Sequence, residues 1–320
     1  MQKKLKNIDR DKTYNDINEN VIVHKNHENE TYNTPFSVKN KDIYSAWRSE
    51  KLSHYPIIIE DVLVKVNNLN RITEAEKSDI LERIQKYNMA IYQLNNPDIA
   101  AFDLKTFAQT FGLSDLDKHF CHDKGGITAL KISQKNNKGG FIPYSDRALN
   151  WHTDGYYNPP EQKVYAVLLH CHTPASEGGE NWFMDHEMAY LRLRDENPAY
   201  IKALMHPEAM TLPAHIEDGQ EIRKQQAGPV FSTYNKGQNL HMRFSQRKKN
   251  IVWRNDAMTT EAVSALNHIL NDIRQDALHI KLQAGQGVLC NNVLHNRSAF
   301  KDNIEQPRLM YRGRFFEPVI

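Results

Sequence analysis

The chain has 320 residues, with 41 Lys+Arg against 39 Asp+Glu for a formal net charge of +2, and 40% of its residues are hydrophobic. That apolar content suffices for a buried core and excludes general disorder, while the balanced charge offers no basic field to the phosphates of a nucleic acid. No stretch approaches the roughly 20 apolar residues that cross a bilayer, and the polar start MQKKLKNIDRDKTYNDINEN lacks the apolar region of a secretory signal, so neither a membrane nor export is expected and the expected compartment is cytoplasmic.

Residues 1–40 are crowded with Asn, Lys, Asp and Glu and read as a polar extension, leaving 41–320 as the folded domain. Folding signals begin at Pro56. In Thr73-Glu74-Ala75-Glu76 a hydroxyl and a carboxylate three residues apart can satisfy free helix N–H groups reciprocally, and Ile80, Leu81 and Ile84 follow at helical spacing. A helix of about 14 residues is expected there. A second covers 104–111 and stops at Gly112, whose missing Cβ suits a left-handed terminus.

From Gly126 the texture changes to short β-rich runs between turn clusters: 128–132, 141–144, 163–169, 228–232, 240–244, 278–282, 287–289 and 308–316, interrupted by helices near 186–196 and 261–273. Many short strands with few helices predict a mostly β protein, an antiparallel barrel or sandwich with helices flanking it, rather than a doubly wound parallel sheet.

The sharpest chemical signal is Trp151-His152-Thr153-Asp154. On a strand, residues two apart share a face, so His152 and Asp154 can grip one metal as two ligands of the 2-His-1-carboxylate face that holds non-haem Fe(II). Among 15 histidines such a pair also arises by chance, as a surface His near an Asp. A third ligand must come from a strand brought alongside the first; His295, which ends the apolar run 287–294, is a candidate, and Arg308 lies 13 residues further on, where a guanidinium can hold a carboxylate through two parallel hydrogen bonds. Arg308, Arg312 and Arg314 share parity, and the plainer reading of that trio is an exposed edge strand paired with acids. His170 and His172 also share a face, but no carboxylate follows at useful spacing, so they read as ordinary strand residues. Cys121, Cys171 and Cys290 form no C-x-x-C pair and read as reduced, buried fillers, and Arg247-Lys248-Lys249 reads as a solvated loop.

With W-H-T-D at 151–154, G-G-E-N at 178–181, N-N-V-L-H at 291–295 and P-R-L-M-Y-R at 307–312, the chain resembles the Fe(II)/2-oxoglutarate-dependent dioxygenases of the taurine dioxygenase-like superfamily. Within it, Leu168-Leu169-His170-Cys171 with Gly178-Gly179-Glu180-Asn181 looks most like the γ-butyrobetaine hydroxylase branch, without that branch's N-terminal zinc module, since Cys121 and His122 lack closely spaced companions. The resemblance implies a double-stranded β-helix (jelly-roll) core, Fe(II) held by His152, Asp154 and His295, and 2-oxoglutarate and O2 as co-substrates. It further implies that Arg308 meets the distal carboxylate of 2-oxoglutarate, with Asn181 standing where many members have a Thr. The substrate is expected to be a small polar, anionic metabolite such as an amino acid or betaine, met by Arg312 and Tyr156. The expected outcome is hydroxylation or desaturation of a C–H bond, because halogenating relatives replace the carboxylate ligand with a small residue. Another divalent-metal chemistry on the same scaffold, or a barrel that binds ligands without turnover, remain the alternatives.

Overall fold

The computed structural model describes residues 33–56, 58–96, 99–117, 126–132, 142–217, 219–247, 249–272 and 276–319. Cys121, His122, Phe141, Lys248 and residues 1–32 lie outside these. Among the described residues the architecture is rich in sheet, with six α-helices.

Two sheets define the site. One has six strands in the order Leu63–Val66, Met89–Leu94, Gln286–Cys290, Ala166–Thr173, Leu309–Phe315, Thr128–Leu130. Its pairings are antiparallel except for Leu63–Val66 with Met89–Leu94, which is parallel. The other has four strands, Leu278–Ile280, Asn181–Met184, Leu294–Arg297, Leu149–His152, paired antiparallel throughout.

Alternation of side chains assigns every face. Val288, Val167, Cys171 and Met310 from the first sheet pack with Phe183 and Leu278 from the second. Their sequence neighbours point the other way. Leu289, Leu168 and Phe315 meet Ile80, Ile84, Leu104 and Phe107 of the helices Glu74–Tyr87 and Ala101–Gln109. Met184, Leu294 and Trp151 meet Leu191, Leu204 and Leu266 of the helices His186–Glu196, Pro198–Leu204 and Ala257–Asn271. The central strands are therefore buried on both faces, with helices outside and a shared layer between the sheets.

Local signals account for several boundaries. Glu74–Tyr87 starts as the capping box requires: Glu76 N–H donates to Thr73 Oγ1 (3.2 Å) and Thr73 N–H to Glu76 Oε2 (2.8 Å). It ends at Asn88 in the left-handed region, φ 57°. Two expectations change: residues 142–144 form a 3-10 turn instead of a strand, and 228–232 is split between the strands Gln226–Gly228 and Phe231–Tyr234. The polar helix Lys41–Ser53, which carries no clear apolar stripe in the sequence, is an addition to them. That helix is held by Lys51, a buried cation 2.6 Å from both Asp185 and Glu187, and the segment before it buries Phe36 against Trp47 and Tyr190.

Two buried histidines set an acid limit on the fold. His170 has Nδ1 3.1 Å from Tyr92 Oη, and His241 has Nε2 3.2 Å from the Val164 carbonyl. Their remaining ring nitrogens have no partner among the described residues. Burial, helped by His172 beside the first and Lys163 beside the second, holds the pKa values down to about 4 and about 3. In the unfolded chain both titrate near the usual 6.5, so below that pH the unfolded state binds more protons. Stability is accordingly full above about pH 6.5 and falls as pH drops toward 4. Urea midpoints measured from pH 7.5 to 4.5 should decline, and the decline should be shallower in His241→Gln.

Candidate metal centre

His152 is the last residue of the strand Leu149–His152, and His295 lies directly opposite it on Leu294–Arg297. Both point between the sheets, with ring centroids 4.3 Å apart. Asp154 does not extend that strand as the H-x-D spacing predicted: the chain turns after Thr153, and Gly155 takes φ 68°. Hydrogen bonds place the carboxylate instead. Asp154 N–H donates to Asn292 Oδ1 (2.8 Å), while Asn292 Nδ2 donates back to the carbonyls of Asp154 (2.9 Å) and Val164 (2.7 Å). Asn292 itself sits at φ 45°, a conformation that Asn tolerates better than most residues.

One ligand atom from each of His152, Asp154 and His295 lies within 4.8 Å of the others. Each imidazole has Nδ1 2.9 Å from a backbone carbonyl, Asn150 for His152 and Val293 for His295, so the neutral ring donates there and leaves the Nε2 lone pair for a metal. Asp154 Oδ1 accepts from Arg312 Nη1 at 3.0 Å, whereas Oδ2 is buried with no hydrogen-bond partner among the described residues. Burial, with His295 alongside, lowers the His152 pKa to about 3. Burial alone would raise that of Asp154, but the charges of Arg312 and Arg314 outweigh it and hold the carboxyl well below its usual range. A neutral imidazole and an ionised carboxylate are the forms a divalent metal needs, so the donor set fits one.

Arg308 is 5% exposed, its guanidinium stands 4.9 Å from the Phe300 ring centroid, and no acid pairs with it among the described residues. Burial lowers its pKa. Asn181 opens the strand Asn181–Met184 and donates Nδ2 to the Asn296 carbonyl (2.8 Å), which leaves its second N–H. The preceding turn requires glycine: Gly178 has φ 68°, and a Cβ there would lie 2.2 Å from the Ala299 carbonyl oxygen. One charged residue escaped the sequence reading. Arg297, opposite Asn181 and 4% exposed, stands over the same Phe300 ring (4.8 Å) and donates Nη2 to the carbonyls of Ser145 and Arg147. Burial and nearby Arg308 lower its pKa to about 9. Its signal was present as parity, since it lies two residues after His295 on one strand.

The strand Leu309–Phe315 is interior, not an exposed edge, and its register shifts between Leu309 and Met310, so Arg308 precedes the regular alternation that Arg312 and Arg314 follow. Both later arginines are buried and paired, Arg312 with Asp154 and Arg314 with Asp117 (2.6 Å). The parity that grouped Tyr156 with His152 and Asp154 does not apply beyond the turn. Tyr156 is half-buried, lines a small cavity together with Asp154, and accepts from Arg247 Nη1 at its hydroxyl (3.3 Å). His170 stays in the core with no carboxylate at its side.

Two imidazoles and one carboxylate converge between two sheets, a donor set that fits a non-haem iron type of centre. The chain belongs to the taurine catabolism dioxygenase TauD, TfdA family, whose pattern matches residues 50–314. It is similar to a uridine-5'-phosphate dioxygenase from Streptomyces sp, 22% identical over 245 residues that cover 73% of this chain and 88% of the relative. Among solved structures, AAD-2 in complex with Mn(II) and N-oxalylglycine superposes with a TM-score of 0.58 at 16% identity, covering 81% of this chain and 95% of that one. Asparagine oxygenase in complex with Fe(II), 2S,3S-3-hydroxyasparagine and succinate gives 0.56 at 14% identity, covering 76% and 80%. The protein is a 2-oxoglutarate-dependent dioxygenase that uses Fe(II), 2-oxoglutarate and O2. The hydrolase-like and non-catalytic alternatives give way to that membership. No described helix is long and apolar enough to cross a membrane.

Proposed function

We propose that this dioxygenase hydroxylates, or desaturates, a C–H bond of a small polar, anionic metabolite, and that its sheets form a double-stranded β-helix. The observation that carries the reading is the convergence of His152, Asp154 and His295, each imidazole anchored through Nδ1 so that its Nε2 stays available to a metal. The metal with 2-oxoglutarate and O2 supplies the oxidant; the chain supplies geometry and exclusion of water. Arg308 grips the distal carboxylate of 2-oxoglutarate with its paired N–H groups, and Asn181 adds its free N–H. Phe300, packed against Arg308, keeps that ion pair out of water and so strengthens it. Asp154 keeps a ligand oxygen where halogenating relatives have none, which favours hydroxylation.

An anionic substrate is supported by the phosphate-bearing substrate named for the Streptomyces relative, and an amino acid by the asparagine oxygenase. Tyr156, beside Asp154, is the substrate-facing residue of this reading. Arg312 was expected to meet the substrate's acid group, but its Nη1 already holds Asp154, so only its remaining N–H groups are left for that contact. Anaerobic addition of Fe(II) and 2-oxoglutarate should give a weak visible charge-transfer band. Succinate release should then rise above background with at least one member of a panel of amino acids, betaines and nucleoside monophosphates. A protein without the band would remove the metal assignment; stimulation by neutral or cationic compounds alone would remove the anionic substrate.

A further inference from the structure

We infer that Arg312 is a positioning residue for the metal: it occupies Oδ1 of Asp154 so that the carboxylate presents a single oxygen, Oδ2, to the ion. The inference rests on the metal assignment above and goes beyond the three ligands. His152 and His295 project from the four-stranded sheet and Asp154 from the turn that follows it, whereas Arg312 belongs to the opposing six-stranded sheet. The Nη1–Oδ1 contact, 3.0 Å, therefore crosses the space between the sheets, and its side chains are only 9% and 5% exposed. Asp154 is fixed at two points, its N–H by Asn292 and one carboxylate oxygen by Arg312. The other oxygen is buried and unsatisfied, a costly state that a metal would relieve.

Arg314 makes the assignment specific. It lies two residues on, facing the same way, and its charge also acts on Asp154, yet its guanidinium bonds Asp117 and the Tyr157 hydroxyl. Of the two arginines only Arg312 touches the ligand.

A six-coordinate ion held by two imidazoles and one carboxylate oxygen would keep three positions, enough for a two-atom chelate and O2. A carboxylate that swung to bind through both oxygens would take one of the three. Arg312 opposes that swing, since freeing Oδ1 would leave the buried guanidinium uncompensated. The same commitment removes the need for a substrate anion to neutralise Arg312.

The test uses the metal-free full chain with Co(II) as the probe, comparing wild type, Arg312→Gln and Arg312→Lys, each with circular dichroism as a fold control. Wild type should bind Co(II) with the weak ligand-field absorption of a six-coordinate ion. Arg312→Gln should bind it roughly 10- to 100-fold more weakly, the usual loss for an outer-sphere partner, with an altered ligand-field spectrum. Arg312→Lys keeps the charge and one donor and should recover most of the affinity. If the Gln variant does not fold, Arg312→Met carries the same comparison. Unchanged Co(II) affinity and spectrum in a folded Gln or Met variant, with only the substrate KM raised, would make Arg312 a substrate anchor and overturn the inference. A Lys variant as weak as the Gln variant would overturn it too. Wild type that does not bind Co(II) would instead strike at the metal assignment itself.

Discussion

His152→Ala and His295→Ala are each expected to abolish 2-oxoglutarate turnover while leaving a folded protein. Removing either imidazole leaves two donors where the metal needs three, and no other His, Cys, Asp or Glu cluster among the described residues offers a substitute. The fold should survive because each ring contributes one hydrogen bond, to Asn150 or Val293, on the order of 1 kcal/mol, and neither belongs to the apolar layers. Succinate release and Fe(II) affinity of the purified variants, read beside a thermal melt, decide the matter; residual turnover in a folded variant would exclude that residue as a ligand. Asp154→Gly should behave differently. It also strips the buried Arg312 guanidinium of its counter-ion, so this variant should lose stability as well as activity, and added chloride should restore part of the stability by pairing with Arg312.

The contrast between these three side chains mirrors what the sequence could convey. His152 and His295 were legible because each lies on a strand whose neighbours alternate cleanly: Trp151 and Leu294 go to the helices, so the histidines go between the sheets. Asp154 was found by spacing but for the wrong reason, since its position depends on Asn292, 138 residues away, and no local pattern encodes such a bond. Arg312 shows the same limit. Parity put it inside correctly, and the cost of burying a lone cation suggested an anionic partner, but a sequence cannot say whether that anion is a substrate or an aspartate from the opposing sheet. The helix Lys41–Ser53 escaped notice because much of what holds it is polar: Lys51 with Asp185 and Glu187, and Tyr44 with Asp195. Hydrophobic periodicity is silent about partners of that kind.

Arg308→Lys is expected to raise the 2-oxoglutarate requirement far more than the substrate requirement. Arg308 is the one arginine of this neighbourhood that neither an acid nor a backbone carbonyl occupies among the described residues: Arg312 holds Asp154, Arg314 holds Asp117, and Arg297 spends Nη2 on Ser145 and Arg147. A buried cation with its donors unspent is poised for a dicarboxylate, and its planar fork matches a carboxylate edge with two parallel bonds where an ammonium makes one. Losing one charge-assisted bond costs on the order of 1.5–3 kcal/mol, or roughly a 10- to 150-fold weaker 2-oxoglutarate complex. Asn181→Ala removes a single neutral donor and should shift the same titration by less, about 1 kcal/mol. Arg297→Lys is the control that separates binding from support. Because Arg297 holds the 145–147 segment through backbone carbonyls, its loss should lower thermal stability more than it shifts the co-substrate titration. Isothermal titration of 2-oxoglutarate into the Mn(II)-loaded variants gives the ordering directly, and a titration unchanged in Arg308→Lys would mean that Arg308 does not hold the distal carboxylate.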